Sequence, residues 1–261
     1  MPVHVSRQGV RHPTKPIEED ARALLRRWQS AVRQAGWHHR PLATVNGWPV
    51  IAVESPPARQ SPGGLYLSAG VHGDEPAPAW ALLEWFETHA LPLRDRPVTI
   101  VPCFNPHGFA ANTRTDHLGE DLNRQFHRID HPLITPWRDW LGTRQFALGL
   151  CLHEDYDARG TYCYELSRRH APHLGAQFLA ASDPIIPREN RPRIEGRRAV
   201  DGVIRRSTPP RDLPGHAEAM ALHFHHASHT LTFETPSEFC LHDRVLAHRL
   251  FLDTTLDALG W

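Results

Sequence analysis

Four short apolar runs in this chain stop abruptly at polar or glycine-bearing residues, and that pattern constrains the fold more than any other feature. Gly64–Ala69 ends in Gly70-Val71-His72-Gly73, and Val98–Pro102 ends in Cys103-Phe104-Asn105-Pro106. Phe146–Leu152 ends in His153, and Thr230–Phe233 ends in Glu234. Runs of this length with such punctuation read as buried strands. Between them lie stretches with helical spacing. In 17–36, apolar side chains recur at Ile17, Ala21, Leu24, Leu25, Trp28, Ala31 and Val32. Pro16, Glu18 and Glu19 suit the start of that helix and Gly36 its stop. Further helices are expected over 76–89, 136–144, 168–181, 216–226 and 241–259. Leu42–Val45 and Trp48–Val53 flank Asn46-Gly47, a hairpin signal. Thr161–Leu166 reads as another strand, and 105–131 and 183–215 as loops. Alternating strands and helices without an internal repeat predict an α/β layered fold with a mainly parallel sheet, residues 1–261 forming one domain. Such sheets place ligands at the C-terminal ends of their strands.

Composition narrows the function. Of 261 residues, 40% are hydrophobic and 22% charged, enough apolar material for a core, which excludes disorder as the whole answer. Twenty-nine basic and 29 acidic residues balance to a formal charge of +0, which argues against a general nucleic-acid binder. No apolar run approaches the roughly 20 residues of a membrane span. The first residues lack the apolar centre of a secretory signal. Four cysteines are too few for a disulfide framework, and Cys103, Cys151 and Cys163 read as core thiols. The expectation is a soluble cytoplasmic protein; oligomeric state is not legible. Twenty histidines make chance metal motifs common, so each needs its setting.

His72 and Glu75, three apart in a glycine-bearing turn after a strand, can converge on one cation. His117 and Glu120 have the same spacing in a polar loop and read as solvated. His153 would complete two histidines and one glutamate, a catalytic zinc set that leaves room for water. A strand-end histidine bonded to a carboxylate is the plainer alternative. Glu154 or Asp155 could hold such a ligand in place. Glu234 ends a buried strand, where a carboxylate needs a partner or a task. A general base is one such task; a solvent-facing strand end is the other reading. Arg124 with Asn123 could grip a carboxylate, and Arg114 could neutralise an oxyanion. A loop tied by its own ion pairs competes with both.

Taken together, Gly70-Val71-His72-Gly73-Asp74-Glu75, Asn105-Pro106-His107-Gly108, Arg114-Thr115, Asp121-Leu122-Asn123-Arg124, Leu152-His153-Glu154-Asp155 and Phe233-Glu234-Thr235-Pro236 resemble the zinc metallocarboxypeptidase family (the M14 peptidases), especially its short bacterial members. The resemblance implies a three-layer α/β/α sandwich around a mixed, roughly eight-stranded sheet. It implies one zinc ion held by His72, Glu75 and His153, with Glu234 as general base and then proton donor. It implies Arg114 polarising the scissile carbonyl, and Asn123 with Arg124 binding the substrate's terminal carboxylate. The implied function is a metallocarboxypeptidase: zinc-activated water removes the C-terminal residue of a peptide, a cell-wall peptide being one version. The partner is then a peptide or acyl-amino-acid with a free carboxylate, and neither nucleic acid nor a membrane.

The related succinylglutamate desuccinylase/aspartoacylase branch resembles the chain in its His-Gly-x-Glu turn and Asp-Leu-Asn-Arg segment, and cleaves N-acyl amino acids. It typically adds a β-rich domain, whereas here about 27 residues follow Glu234. A non-catalytic zinc-binding module is the third reading. Larger digestive carboxypeptidases carry a lid tyrosine shortly before the base; none lies between Leu166 and Glu234. Residues 188–211 instead carry Arg188, Arg191, Arg193, Arg197, Arg198, Arg205, Arg206 and Arg211. These read as a solvated, ion-paired loop or, alternatively, as a lid favouring anionic substrates. His223, His225, His226 and His229 are expected to be structural rather than a second metal site.

Overall fold

The structure, a computed structural model, describes residues 18–60, 63–168, 171–208 and 214–261. Pro16, Ile17 and Arg211 therefore lie outside the described residues, as do the side chains of Glu18 and Glu19. Seven α-helices and ten strands are assigned among the described residues: α1 Glu18–Ala35, β1 His38–Val45, β2 Trp48–Glu54, β3 Gly64–Ser68, α2 Pro76–His89, β4 Val98–Val101, α3 Pro106–Ala111, α4 Ile134–Leu141, β5 Phe146–Asp155, β6 Tyr162–Ser167, α5 Gly175–Ser182, β7 Arg193–Ile194, β8 Arg197–Arg198, β9 Val203–Arg206, α6 Glu218–His225, β10 His229–Pro236 and α7 Leu241–Leu259. A 3-10 turn covers Leu122–Arg124.

One eight-stranded sheet runs β1-β2-β4-β3-β5-β10-β6-β9. It is mixed rather than mainly parallel. The four central strands β4, β3, β5 and β10 are parallel. β2 pairs antiparallel with β4, and β1 antiparallel with β2 across the predicted hairpin. There Asn46 and Gly47 both have positive φ, 47° and 78°, as a two-residue turn of this twist requires. β6 follows β5 after residues 156–161 only, too short a link for a parallel crossover, so β6 returns antiparallel to β10.

The period of two along each strand sorts side chains into two cores. Leu65 and Leu67 of β3, Leu150 and Leu152 of β5, and Leu231 and Phe233 of β10 face the layer of α1, α2, α5 and α7. Helix α2 is apolar nearly all round because α1, α7 and the sheet enclose it. Tyr66, Cys151, Phe104, Trp137 and Leu222 form the opposite core beneath α4 and α6. His153 and Glu234 follow Leu152 and Phe233 by one residue, so they fall on this second face.

Two expected loops carry structure of their own. In 105–131, Asn105 accepts a hydrogen bond from the Gly108 N–H at 2.8 Å and so starts α3, which Asn112 ends in the left-handed region. In 183–215, β7 and β8 form a small hairpin and β9 joins the sheet edge beside β6. The three thiols Cys103, Cys151 and Cys163 are buried and unpaired, and Cys240 is exposed. Among the described residues no helix is long and apolar enough to cross a membrane.

Candidate active site

The turn after β3 is compressed against α3. Gly70 sits at φ 64°, and a Cβ on Gly73 would lie 1.9 Å from the carbonyl carbon of Gly108. Side chains are excluded at both places, and the Gly73 N–H donates to the Thr113 carbonyl at 3.0 Å. This geometry turns His72 back toward Glu75 at the start of α2. One oxygen of Glu75 lies 2.5 Å from His72 Nδ1. The other lies 2.9 Å from His153 Nδ1 and accepts the Glu154 N–H at 3.1 Å. His72, Glu75 and His153 are each 2% exposed, and their ligand atoms all lie within 4.8 Å of one another.

This donor set fits one zinc ion. It offers two imidazole nitrogens and a carboxylate, all turned to one point. Burial disfavours charged imidazole, yet the Glu75 carboxylate outweighs it and draws His72 up to about 9. His153 is raised for the same reason. Glu75, despite burial, is held down at about 2 by the two rings. The three groups thus demand positive charge between them, which a divalent cation supplies. His72 Nε2 faces Asp121 Oδ1 at 3.0 Å, the outer carboxylate contact that orients a ligating histidine. Glu154 and Asp155 do not play that part with their side chains. Glu154 accepts from the Ala77 N–H at 2.6 Å and pairs with Arg244, and Asp155 accepts from the Tyr162 hydroxyl at 2.9 Å.

Glu234 stands beside His153, its register partner across β10 and β5, and beside Tyr162 across β10 and β6. Burial pushes its carboxyl well above the usual range, against the pull of His153 and with the charge of Glu75 adding to it. Arg114 donates twice to Asp121 at 3.1 Å and approaches Glu75 at 3.6 Å. Asp121 also accepts the Asn123 N–H at 2.9 Å and so starts the 3-10 turn that carries Asn123 and Arg124. Asn123 Oδ1 accepts the Glu218 N–H at 2.9 Å, which leaves its amide N–H groups to donate elsewhere. Arg124 donates to the Asn123 carbonyl at 2.9 Å.

His72, Glu75, Arg114, Asn123, Arg124, His153 and Glu234 all line one cavity of about 460 Å³. Tyr156, Tyr162 and Tyr164 line it too, as do Arg197 and Arg206. The tyrosines were not singled out from sequence, although Tyr162 and Tyr164 alternate on one strand and therefore share a face. The Tyr164 hydroxyl donates to Glu195 at the tip of the β7–β8 hairpin. Three arginines of the segment are ion-paired with carboxylates of their own neighbourhood. Arg188 pairs with Asp183, Arg191 with Glu189 and Arg205 with Glu165. Of the late histidines, His229 contacts Glu165 at 3.0 Å and His226 the Arg144 carbonyl at 2.9 Å. None belongs to a converging ligand group among the described residues. His117 and Glu120 are not solvated as expected: Glu120 is paired with Arg128 at 2.9 Å, and His117 is largely enclosed.

Residues 63–140 match the model of the succinylglutamate desuccinylase/aspartoacylase catalytic domain. That stretch holds His72, Glu75, Arg114, Asn123 and Arg124. No curated protein matches the chain. Among solved structures, a candidate metallopeptidase of Shewanella baltica OS155 superposes with TM-score 0.81 at 22% identity, covering 92% of this chain and 93% of that one. A metallo-carboxypeptidase of Burkholderia cenocepacia gives 0.67 at 19% identity, over 93% and 69%. The murein-tripeptide amidase MpaA of Escherichia coli O157 gives 0.56 at 20%, over 85% and 92%. The chain thus has a metallocarboxypeptidase-like fold, and its residues 63–140 are similar to the succinylglutamate desuccinylase/aspartoacylase catalytic domain.

Proposed function

We propose that residues 1–261 act as a single zinc-dependent hydrolase domain that cleaves an amide bond near a substrate carboxylate, as a metallocarboxypeptidase removing a C-terminal residue from a peptide. One observation carries this reading: the His72–Glu75–His153 ligand set, the buried Glu234 and the guanidinium groups of Arg114 and Arg124 open onto the same cavity. The likeness to a metallo-carboxypeptidase and to a murein-tripeptide amidase supports it.

Zinc held by His72, Glu75 and His153 would supply a Lewis acid and make a water easier to deprotonate. Glu234 takes the proton of the attacking water and later delivers it to the leaving nitrogen. Arg114 stabilises the negative charge that develops on the carbonyl oxygen. Asn123 and Arg124 hold the substrate's carboxylate, which fixes the scissile bond over Glu234 and lowers the entropic cost of reaction.

The match over residues 63–140 favours a second reading, hydrolysis of an N-acyl amino acid. Both readings use the same zinc and the same base and differ in what lies on the acyl side. Zinc-loaded protein assayed against C-terminal dipeptides and tripeptides, beside N-acetyl and N-succinyl amino acids, separates them. The carboxypeptidase reading expects the higher kcat/KM on peptides with a free C-terminus and loss of turnover when that carboxylate is amidated. Higher kcat/KM on the acyl amino acids would replace it with the second reading. Bound zinc with no hydrolysis of either set would mean a binding module.

A further inference from the structure

A second group of ligand-type side chains converges away from the His72–Glu75–His153 set, at the start of the loop that carries the carboxylate-binding residues. Asp116 uses Oδ1 to accept the N–H groups of Leu118 at 2.8 Å and Glu120 at 3.0 Å. Its backbone N–H donates to the Glu120 carbonyl at 2.9 Å, so the turn is closed on itself. That leaves Oδ2 pointing inward, buried and without a hydrogen bond. His131 is 0% exposed, and its Nε2 also has no hydrogen bond. It lies 3.3 Å from Asp116 Oδ2 and 3.6 Å from Glu120 Oε2. The ligand atoms of Asp116, Glu120 and His131 lie within 4.8 Å of one another. His117 Nδ1, a third buried atom without a partner, is 3.7 Å from the same Asp116 oxygen.

Charge points the same way. Arg128 spans Glu120 at 2.9 Å and Asp130 at 3.1 Å. Arg128 thus answers Glu120 and the solvent-exposed Asp130, which leaves the buried Asp116 carboxylate facing the imidazoles of His117 and His131 alone. A buried carboxylate oxygen met only by imidazole nitrogens, at 3.3 Å from His131 and 3.7 Å from His117, is costly, and a divalent cation supplies the missing positive charge. A mixed nitrogen and oxygen donor set suits zinc-like transition ions better than calcium or magnesium.

We propose that Asp116, Glu120 and His131 form a second cation site, for zinc or a similar divalent transition ion, that pins the loop leading into Asp121, Asn123 and Arg124. His131 Nδ1 now accepts the Leu133 N–H at 3.2 Å, so the ring proton resides on Nε2. Coordination through Nε2 moves that proton to Nδ1 and breaks the Leu133 bond at the entry of α4. The site is built from residues that take no part in the proposed hydrolysis.

Zinc counting tests it. Protein is equilibrated in buffered micromolar free zinc, desalted and analysed for bound metal by mass spectrometry. The wild type is expected to hold two zinc ions per chain, and His72→Ala/His153→Ala to hold one. In that background, His131→Gln or Glu120→Gln should bring the count to none, with far-ultraviolet circular dichroism confirming the fold. Glu120 is half-exposed, so its variant serves if His131→Gln fails to fold. One zinc in the wild type that vanishes in His72→Ala/His153→Ala would overturn the proposal. So would a second zinc indifferent to both loop variants. Either result leaves the hydrolase reading untouched, because the count does not depend on turnover.

Discussion

His153 and Glu234 reach the cavity from two neighbouring parallel strands in the middle of the sheet, with His72 on the turn after a third. Arg197 and Arg206 reach the same cavity from a two-residue strand and from the short β9 at the sheet's edge. The two walls differ in what holds them. On the metal wall the His153–Glu234 register is set by a continuous ladder from Thr230 to Pro236, and shifting it would expose the Leu231–Phe233 face of the core. The edge wall has a shorter ladder, Cys163–Leu166 with Val203–Arg206, and adds side-chain ties such as Tyr164 to Glu195 and Arg205 to Glu165. On the proposed function, the chemistry would sit on the part that cannot slide, and any substrate preference on the part that can vary without unfolding the sheet.

The largest break in this division comes from Glu234→Gln. The change is nearly isosteric and leaves the three ligands in place. Zinc content measured by mass spectrometry should stay at the wild-type level at the His72–Glu75–His153 site. Turnover should fall by about 10²–10⁴-fold, the range for loss of a positioned general base. Turnover near wild type would remove Glu234 from the chemistry and make the metal wall a scaffold only.

Arg124→Ala acts between the walls, on the 3-10 turn. A lost charge-assisted pair should raise KM for substrates with a free carboxylate by roughly 10–100-fold, with a smaller change in kcat. The same substrates amidated at that carboxylate should respond little to the substitution. Equal effects on both sets would mean that Arg124 holds the turn rather than the substrate. Next in size is charge reversal on the edge, Arg197→Glu with Arg198→Glu. If the hairpin favours anionic substrates, the ratio of kcat/KM for acidic over neutral substrates should drop by roughly 3–10-fold and recover partly in high salt. An unchanged ratio would assign the hairpin to packing.

The same division explains what could be read before folding. The helices over 76–89 and 241–259 and the Asn46-Gly47 hairpin occur where the pattern puts them, because their signals are local: a proline at the first turn, an apolar run, a turn that needs positive φ. The residue types of the metal wall were legible for a related reason, since His72, His153 and Glu234 each come at or just after the end of an apolar run that composition marks. That Glu75 divides its two oxygens between His72 and His153 was not legible, because it depends on how β3 and β5 pair. β9 was invisible because its apolar run is only Val203 and Ile204 before two arginines, and it becomes a strand through its partner β6. Asp116 and His131 meet only because the loop folds back under Arg128, and no period along the chain marks such a meeting. The alternation of Tyr162 and Tyr164 was a usable signal that pointed at the cavity and went unread.

The smallest expected effect tests whether the edge is held by charge. Glu165 on β6 accepts the Leu174 N–H at 2.8 Å, contacts His229 Nε2 at 3.0 Å and takes Arg205 of β9 at 3.0 Å. Burial alone would raise its carboxyl, but these partners, His229 foremost, hold it down at about 2 from an ordinary 4.5. A carboxyl lowered on folding binds its proton less readily in the native state than in the unfolded one. Its contribution is therefore complete above about pH 4.5 and is lost as the pH falls toward about 2. Glu165→Gln should cost about 1.5–3 kcal/mol of unfolding free energy near neutrality, the scale of a hydrogen bond to a charged group. In urea titrations the gap between wild type and variant should narrow steadily once the pH drops below the ordinary carboxylate value. A gap that stays constant across that interval would mean that shape rather than charge holds β9 to β6. The edge wall would then be as rigid as the metal wall, and its arginines would be poor candidates for tuning what the cavity admits.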